Sequence, residues 1–210
     1  MAAESPWSLV PAADYEAHMG PEGVDQLRPL AAILARALAT LKPARLLVLG
    51  VATGNGLEAV DPKVTRSVVG VDLNLQYLGV ARQRQMRLGS RLELFCQDAA
   101  RARLPEAAFD LVWAGLFLEH VDVRAMAPRL ASWLAPGGSL VAVLQLPAEP
   151  GAPPRPPPPS MRPVAEAMRL VPPAELEEAL ERAGLRRRQA FEVPAAHGVR
   201  FHVGRWSRPK

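Results

Sequence analysis

Hydrophobic and polar positions along this chain follow two alternating periods. From Arg45 onward, short apolar runs rich in Val and Leu read as strands at 45–50, 67–72, 91–96, 109–115 and 138–146. Between them lie helical stretches at about 56–60, 74–88 and 122–134. Regular alternation of strand and helix predicts a parallel, doubly wound sheet. Upstream, Gly20-Pro21-Glu22 opens a predicted helix of about twenty residues, with Val24, Leu27, Leu30, Ile33, Leu34 and Leu38 on one face. Pro29 predicts a kink or restart early in it, and the helix ends near Lys42-Pro43. Downstream, residues 172–183 form an amphipathic helix led by Pro172-Pro173 and closed by Gly184, and 185–193 with 200–206 read as a terminal hairpin. The stretch 147–163 contains Pro156-Pro157-Pro158-Pro159, which favours an extended, stiff spacer on the surface. A further helix is expected from Met161 to Leu170.

The stretch that organises the chain is Arg45-Leu46-Leu47-Val48-Leu49-Gly50-Val51-Ala52-Thr53-Gly54-Asn55-Gly56-Leu57-Glu58. A buried strand runs into a turn that needs backbone freedom and then into a helix start. Gly54 and Gly56 carry no Cβ, so the chain can turn tightly at positive φ and let a ligand lie on bare backbone. Further on, Ser67-Val68-Val69-Gly70-Val71-Asp72 is a second apolar run ending in a carboxylate able to accept from both hydroxyls of a ribose. Two cofactors use this layout. Gly54-Asn55-Gly56-Leu57-Glu58-Ala59 satisfies the dinucleotide pattern, with Asp72 about where an NAD ribose partner stands. In a dinucleotide fold, however, the first glycine comes directly off the strand, whereas here Val51-Ala52-Thr53 intervene. The alternative register is Gly50-Val51-Ala52-Thr53-Gly54-Asn55-Gly56.

Composition narrows the class. At 210 residues the chain holds one ample domain with a full core. No apolar run approaches the roughly 20 residues needed to cross a bilayer, and the start, Met1-Ala2-Ala3-Glu4-Ser5-Pro6, has neither a basic nor an apolar leader region, so a cytoplasmic location is expected. The single cysteine, Cys96, excludes an internal disulfide and is expected to be a buried, inert thiol in a strand. Of 25 cationic residues only Lys42, Lys63 and Lys210 are lysine. Arginine suits phosphate, but these arginines are spread over every segment, and Arg186-Arg187-Arg188 is the only run. A solvated surface is the simpler reading, with nucleic acid an open but unfavoured partner.

Later residues complete the pattern. Asp98 follows the third strand in Gln97-Asp98-Ala99, Phe109-Asp110-Leu111 opens the fourth, Leu118-Glu119-His120 follows it, and Pro136-Gly137-Gly138 turns into the fifth. Together, and in this order, these motifs resemble a small class I, Rossmann-like S-adenosylmethionine-dependent methyltransferase over roughly Tyr15 to Leu146. The resemblance implies an α/β fold with a doubly wound, mostly parallel seven-stranded sheet, an antiparallel last strand and helices on both faces. It implies one domain over 1–210, with an N-terminal cap and helix at 1–42, a cofactor core at 43–146, the proline-rich linker at 147–163 and a C-terminal helix and hairpin at 164–210. The cofactor implied is S-adenosyl-L-methionine, leaving as S-adenosyl-L-homocysteine. Its binding residues would be Gly50, Ala52, Thr53, Gly54, Asn55 and Gly56 around the methionine tail, Asp72 and Leu73 at the ribose, Asp98 and Ala99 at the adenine, and Gly115 and Leu116 after the fourth strand. The family often has an acid where Gly50 stands and a glycine where Ala52 stands, so another group must hold the methionine ammonium.

Methyl transfer from a sulfonium is an in-line displacement with an excellent leaving group, so few signature residues are required. His120, beside the acceptor's approach, is the candidate general base, set against a merely packed histidine; Glu119 is similarly placed but reads as structural. Tyr15, His18 and Met19 form either a flap over the cofactor and substrate or a strap on the sheet edge. The helix from Met161, with Val164 and Met168, is a candidate roof of the substrate site. Gly115-Leu116-Phe117 stands where base-amine methylases carry Asn or Asp before Pro-Pro, and no Cys/His cluster suggests a metal. The activity expected is methyl transfer to an oxygen or nitrogen of a small molecule. An RNA or protein methyltransferase, a non-catalytic cofactor-binding module and a nicotinamide-dependent oxidoreductase stay open beside it.

Overall fold

A computed structural model describes residues 5–151 and 155–210. Seven strands form one sheet: β1 Arg45–Leu49, β2 Ser67–Asp72, β3 Leu92–Cys96, β4 Phe109–Gly115, β5 Leu134–Gln145, β6 Arg186–Pro194 and β7 Arg200–Ser207. Their spatial order is β3-β2-β1-β4-β5-β7-β6. β1 pairs in parallel with β2 and β4, whereas β7 is antiparallel to both β5 and β6. Strand order therefore reverses between β1 and β4, the place where an open α/β sheet leaves a crevice at its carboxyl ends.

Alternation along the strands sends side chains to two cores. Leu46, Val48, Val68, Leu111 and Val141 pack against α2 (Leu27–Leu41) and α3 (Leu75–Arg84); Leu47, Leu49, Val112, Leu140 and Ala142 pack against α4 (Val123–Trp133) and α6 (Pro173–Arg182). From α2, Leu30, Ile33, Leu34 and Leu38 are buried, each contributing roughly 1.5–3 kcal/mol of burial energy.

Several expectations change in the structure. The helix expected from Gly20 begins only at Leu27, as α2, because residues 20–26 make tight turns back onto α1 (Ala12–Met19), with the Val24 and Gln26 amides donating to His18 and Met19 carbonyls. Pro29 causes no kink: it is the third residue of α2, where a backbone N–H has no helical acceptor to lose. After β1 only a single 3-10 turn forms, Leu57–Ala59, so the crossover to β2 has no α-helix, and α2 packs over that turn. β5 starts at Leu134, ahead of the turn glycines, by pairing through a register shift with β4. Cys96 is exposed rather than buried, since β3 is an edge strand and its last residue opens to solvent. The proline-rich stretch leaves the surface after Pro158: Met161 is buried, and α5 (Arg162–Ala167) follows. Residues 152–154 of that stretch, and the opening residues 1–4, lie outside the described residues. The Arg186-Arg187-Arg188 run lies on β6, the other edge, where charge opposes edge-to-edge pairing. No helix among the described residues is long and apolar enough to cross a membrane.

Candidate functional site

One cavity of about 600 Å³ opens at the carboxyl ends of β1, β2, β4 and β5. Gly50, Ala52, Asp72, Leu73, Asp98 and Ala99 border it on one side. Gly115, Leu116 and His120 border it past β4, and Tyr15, His18 and Met19 border it from α1. Thr53, Gly54, Asn55 and Gly56 are not in its wall. Thr53 donates to the Glu16 carboxylate, Asn55 Nδ2 donates to the Leu27 carbonyl at 2.9 Å, and the Gly54 carbonyl accepts from Gln85 at 3.2 Å. Gly56 has φ of 85°, and a Cβ there would lie 3.2 Å from the Ala31 backbone of α2. These residues shape the turn and seat it on the neighbouring helices.

The loop itself is bent at the cavity. Gly50 has φ of 62° and lies against Phe117, and Ala52 and Leu116 hold left-handed φ of 45° and 51° although each carries a Cβ. Non-glycine residues in that region cost roughly 1 kcal/mol each and gather at ligand sites. Ala52 is held by Asp72, whose two oxygens accept from the Ala52 amide at 2.8 Å and the Asn74 amide at 2.9 Å. Burial pushes the Asp72 carboxyl up, opposed by those amide bonds. A carboxylate has about four acceptor positions, so it retains capacity for ribose hydroxyls after both clamps are made. Asp98 accepts from the Ala100 amide at 2.8 Å.

Residues 5–19 lie across this rim as a pinned strap. Asn74 caps α3 through Oδ1, accepting from the Gln76 amide at 2.9 Å, and its Nδ2 donates to the Trp7 and Val10 carbonyls at 3.0 and 2.8 Å. Arg84 holds Glu16 with two bonds at 2.9 and 3.0 Å. Tyr15 is buried beside Tyr77, with ring centroids 5.0 Å apart, and burial followed by the Asp72 charge pushes its hydroxyl well up. Met161 and Val164 join Val10, Tyr15, Ala52 and Tyr77 in one small core, so the segment after the prolines closes over the strap. An Asn immediately before a helical run is a cap signal, and Asn74 was open to recognition on that ground. Nothing in the sequence near Met161 announces its partners.

Past β4 the chemistry differs. His120 is half-buried, edge-on to Trp7 with centroids 5.1 Å apart, and burial pushes its pKa down to about 4, so the imidazole is neutral and weakly basic near pH 7. Its neighbour Glu119 is 3% exposed, accepts the Gln145 amide at 2.7 Å through Oε1, and is pushed up to about 7 by burial. Oε2 of Glu119 has no partner among the described residues. Gln145, at the end of β5, is in turn bonded to Gln26 at 2.9 Å, and all three residues border the cavity.

A dinucleotide fits this site poorly: its pyrophosphate needs a helix N-terminus after the glycine loop, and a three-residue 3-10 turn stands there instead. The site has the makings of a nucleoside pocket without phosphate, because a left-handed loop, the Asp72 carboxylate with spare acceptor positions and a buried Ala99 beside Asp98 meet in one cavity. Among the described residues no group of three or more His, Cys, Asp or Glu is placed to hold a metal ion.

Comparison with known proteins agrees with this geometry. Residues 46–138 match the family described as Methyltransferase domain. Phosphoethanolamine N-methyltransferase 1 of Arabidopsis thaliana is 28% identical over 103 residues, which is 48% of this chain and 21% of that protein. The chain thus spans about a fifth of the curated relatives it matches. Among solved structures, N-methyltransferase NodS from Bradyrhizobium japonicum WM9 in complex with S-adenosyl-l-homocysteine superposes with a TM-score of 0.67 at 19% identity, covering 100% of this chain and 94% of that one. The [4+2]-cyclase SpnF superposes with a TM-score of 0.68 at 19% identity, covering 86% and 80%. The second neighbour shows that this fold is not tied to one chemistry.

Proposed function

We propose that the chain, whose residues 46–138 match the Methyltransferase domain family, is a class I S-adenosylmethionine-dependent methyltransferase that transfers a methyl group to an oxygen or nitrogen of a small molecule. The observation that carries this reading is the meeting of the bent Gly50–Ala52 loop and Asp72 in a cavity with room left beyond them. S-Adenosylmethionine, the family's cofactor, would supply an electrophilic methyl on a sulfonium with a neutral thioether leaving group.

The chain's residues then have four tasks. Asp72 would accept the ribose hydroxyls while keeping Ala52 in its bent form, and Asp98 would accept from the adenine amine. Gly50 would let the tail lie against bare backbone between β1 and Phe117. The strap and α5 would exclude water, which matters because displacement at carbon is governed by orientation and desolvation. His120 is a weak proton acceptor at its depressed pKa, and Glu119 is better matched to that work near neutral pH. A small acceptor suits the remaining space, which is roofed rather than open as a groove for a polymer would be.

The test is calorimetric titration of the purified protein with S-adenosylhomocysteine and, separately, NAD. Micromolar binding of the former and none of the latter is expected; uptake of NAD alone would overturn the reading.

A further inference from the structure

Glu119 is buried, borders the cavity and has one carboxylate oxygen that meets no donor among the described residues. Asp72, the other buried acid in that wall, is occupied by the Ala52 and Asn74 amides. An ionised carboxylate held out of water without a cation costs several kcal/mol, and such groups persist where a ligand completes them. Only backbone amides oppose that burial at Glu119, and no Lys or Arg contributes. The same cavity wall carries Trp7, Phe117, His120 and Met168, which are rings and a thioether suited to the face of an organic cation.

Position separates this group from the donor's half of the site. Gly50, Asp72 and Asp98 follow β1, β2 and β3, whereas Glu119 follows β4 and is tied to Gln145 at the end of β5. We propose that Glu119 is an ammonium-binding residue, that the methyl acceptor held against it is a cationic amine, and that its carboxylate takes the acceptor's proton. The proposal rests on the methyl-transfer reading above and narrows its acceptor from oxygen or nitrogen to nitrogen. The acceptor's N–H bond breaks with the proton passing to Oε2 and the electron pair staying on nitrogen. That pair forms the new N–C bond as the methyl's C–S bond breaks, its pair remaining on sulfur, and the carboxyl later returns the proton to water. Charge balances: ammonium and sulfonium enter, and methylated ammonium, neutral thioether and one proton leave.

A second ammonium could lie there, that of the cofactor's own methionine tail, so the experiment has separate arms. Tetramethylammonium chloride and the uncharged tert-butanol are titrated into wild type, Glu119→Gln and Glu119→Asp, each with and without saturating S-adenosylhomocysteine. Glutamine keeps an oxygen for the Gln145 amide, and aspartate keeps the charge. Wild type is expected to bind tetramethylammonium about tenfold or more tighter than Glu119→Gln, with tert-butanol bound weakly by all three and Glu119→Asp between the extremes. Equal affinity of wild type for tetramethylammonium and tert-butanol overturns the proposal without reference to any variant. Loss of S-adenosylhomocysteine affinity in Glu119→Gln, with 5′-methylthioadenosine binding retained, moves the ammonium to the donor and overturns the acceptor assignment. Failure of wild type to bind S-adenosylhomocysteine overturns the methyl-transfer reading instead, while the tetramethylammonium arm remains decisive for Glu119.

Discussion

The rim after β1, β2 and β3 and the rim after β4 and β5 are built by different means. The first is clamped: each Asp72 oxygen takes a backbone amide, Asn74 caps a helix and holds the strap, and Gly56 seats the loop on α2. Its polar groups are largely satisfied by its own chain. The second leaves a buried carboxylate oxygen open and is walled by residues from the strap, from the segment after the prolines and from the β6–β7 connection. A half that satisfies itself can be shared among many relatives, whereas a half with an open valence is completed by a particular ligand. That contrast agrees with a fold found both in N-methyltransferase NodS and in a [4+2]-cyclase.

The largest test of the contrast is Asp72→Ala. It leaves the Ala52 and Asn74 amides without an acceptor, each costing roughly 1–3 kcal/mol, so a stability loss of about 2–6 kcal/mol is expected in urea unfolding. S-Adenosylhomocysteine affinity is expected to fall about a hundredfold in the same protein. Lower stability with unchanged affinity would reduce Asp72 to a clamp.

Glu119→Gln is expected to act oppositely, because the open half carries a liability. The folded carboxyl keeps its proton up to about 7, whereas the unfolded one releases it near 4.5, so this group's stability is present below about 4.5 and lost as pH rises through 7. The glutamine variant is therefore expected to exceed wild type by up to about 3 kcal/mol at pH 8, the advantage shrinking toward pH 4.5. His120 runs the other way: its folded pKa of about 4 lies below the unfolded value, so its stability is present above about 6.5 and lost as pH falls toward 4. It is common to both proteins and cancels in the difference. A pH-independent difference would remove the buried-acid account of Glu119.

Asn74→Ala is the smallest of the three. Loss of a helix cap costs about 1 kcal/mol, and freeing the Trp7 and Val10 carbonyls loosens the strap, so a total of about 1–2 kcal/mol and faster proteolysis within residues 5–20 are expected. Unchanged cleavage would mean that Tyr15 packing and the Glu16–Arg84 pair hold the strap alone.

The parts of this molecule legible beforehand are those whose physics is local. Short continuous apolar runs gave the strands, and a turn needing positive φ gave the loop after β1. A carboxylate at a strand end gave Asp72, whose position follows from the strand alone. The helix expected from Gly20 failed because its apolar spacing continued into residues that the tertiary structure folds back onto α1. Cys96 was misplaced for a similar reason: whether a strand end is buried depends on what lies beside β3, and among the described residues no further strand pairs with its outer edge.

By itself, then, the order of residues determined the individual strands of the core, the tight turn after β1 and the acid at the end of β2, since each is a run, a turn or a strand end within one short stretch. Only the tertiary structure decided that α2 would cover the short turn after β1, that Met161 would meet Tyr15, and that Glu119, rather than its more conspicuous neighbour His120, would be the acid left open in the wall. Those outcomes depend on burial and on partners more than 25 residues away in sequence, as with Glu119 and Gln145 at |i−j| of 26. Desolvation is a property of an assembled cavity, and no single stretch of chain carries it.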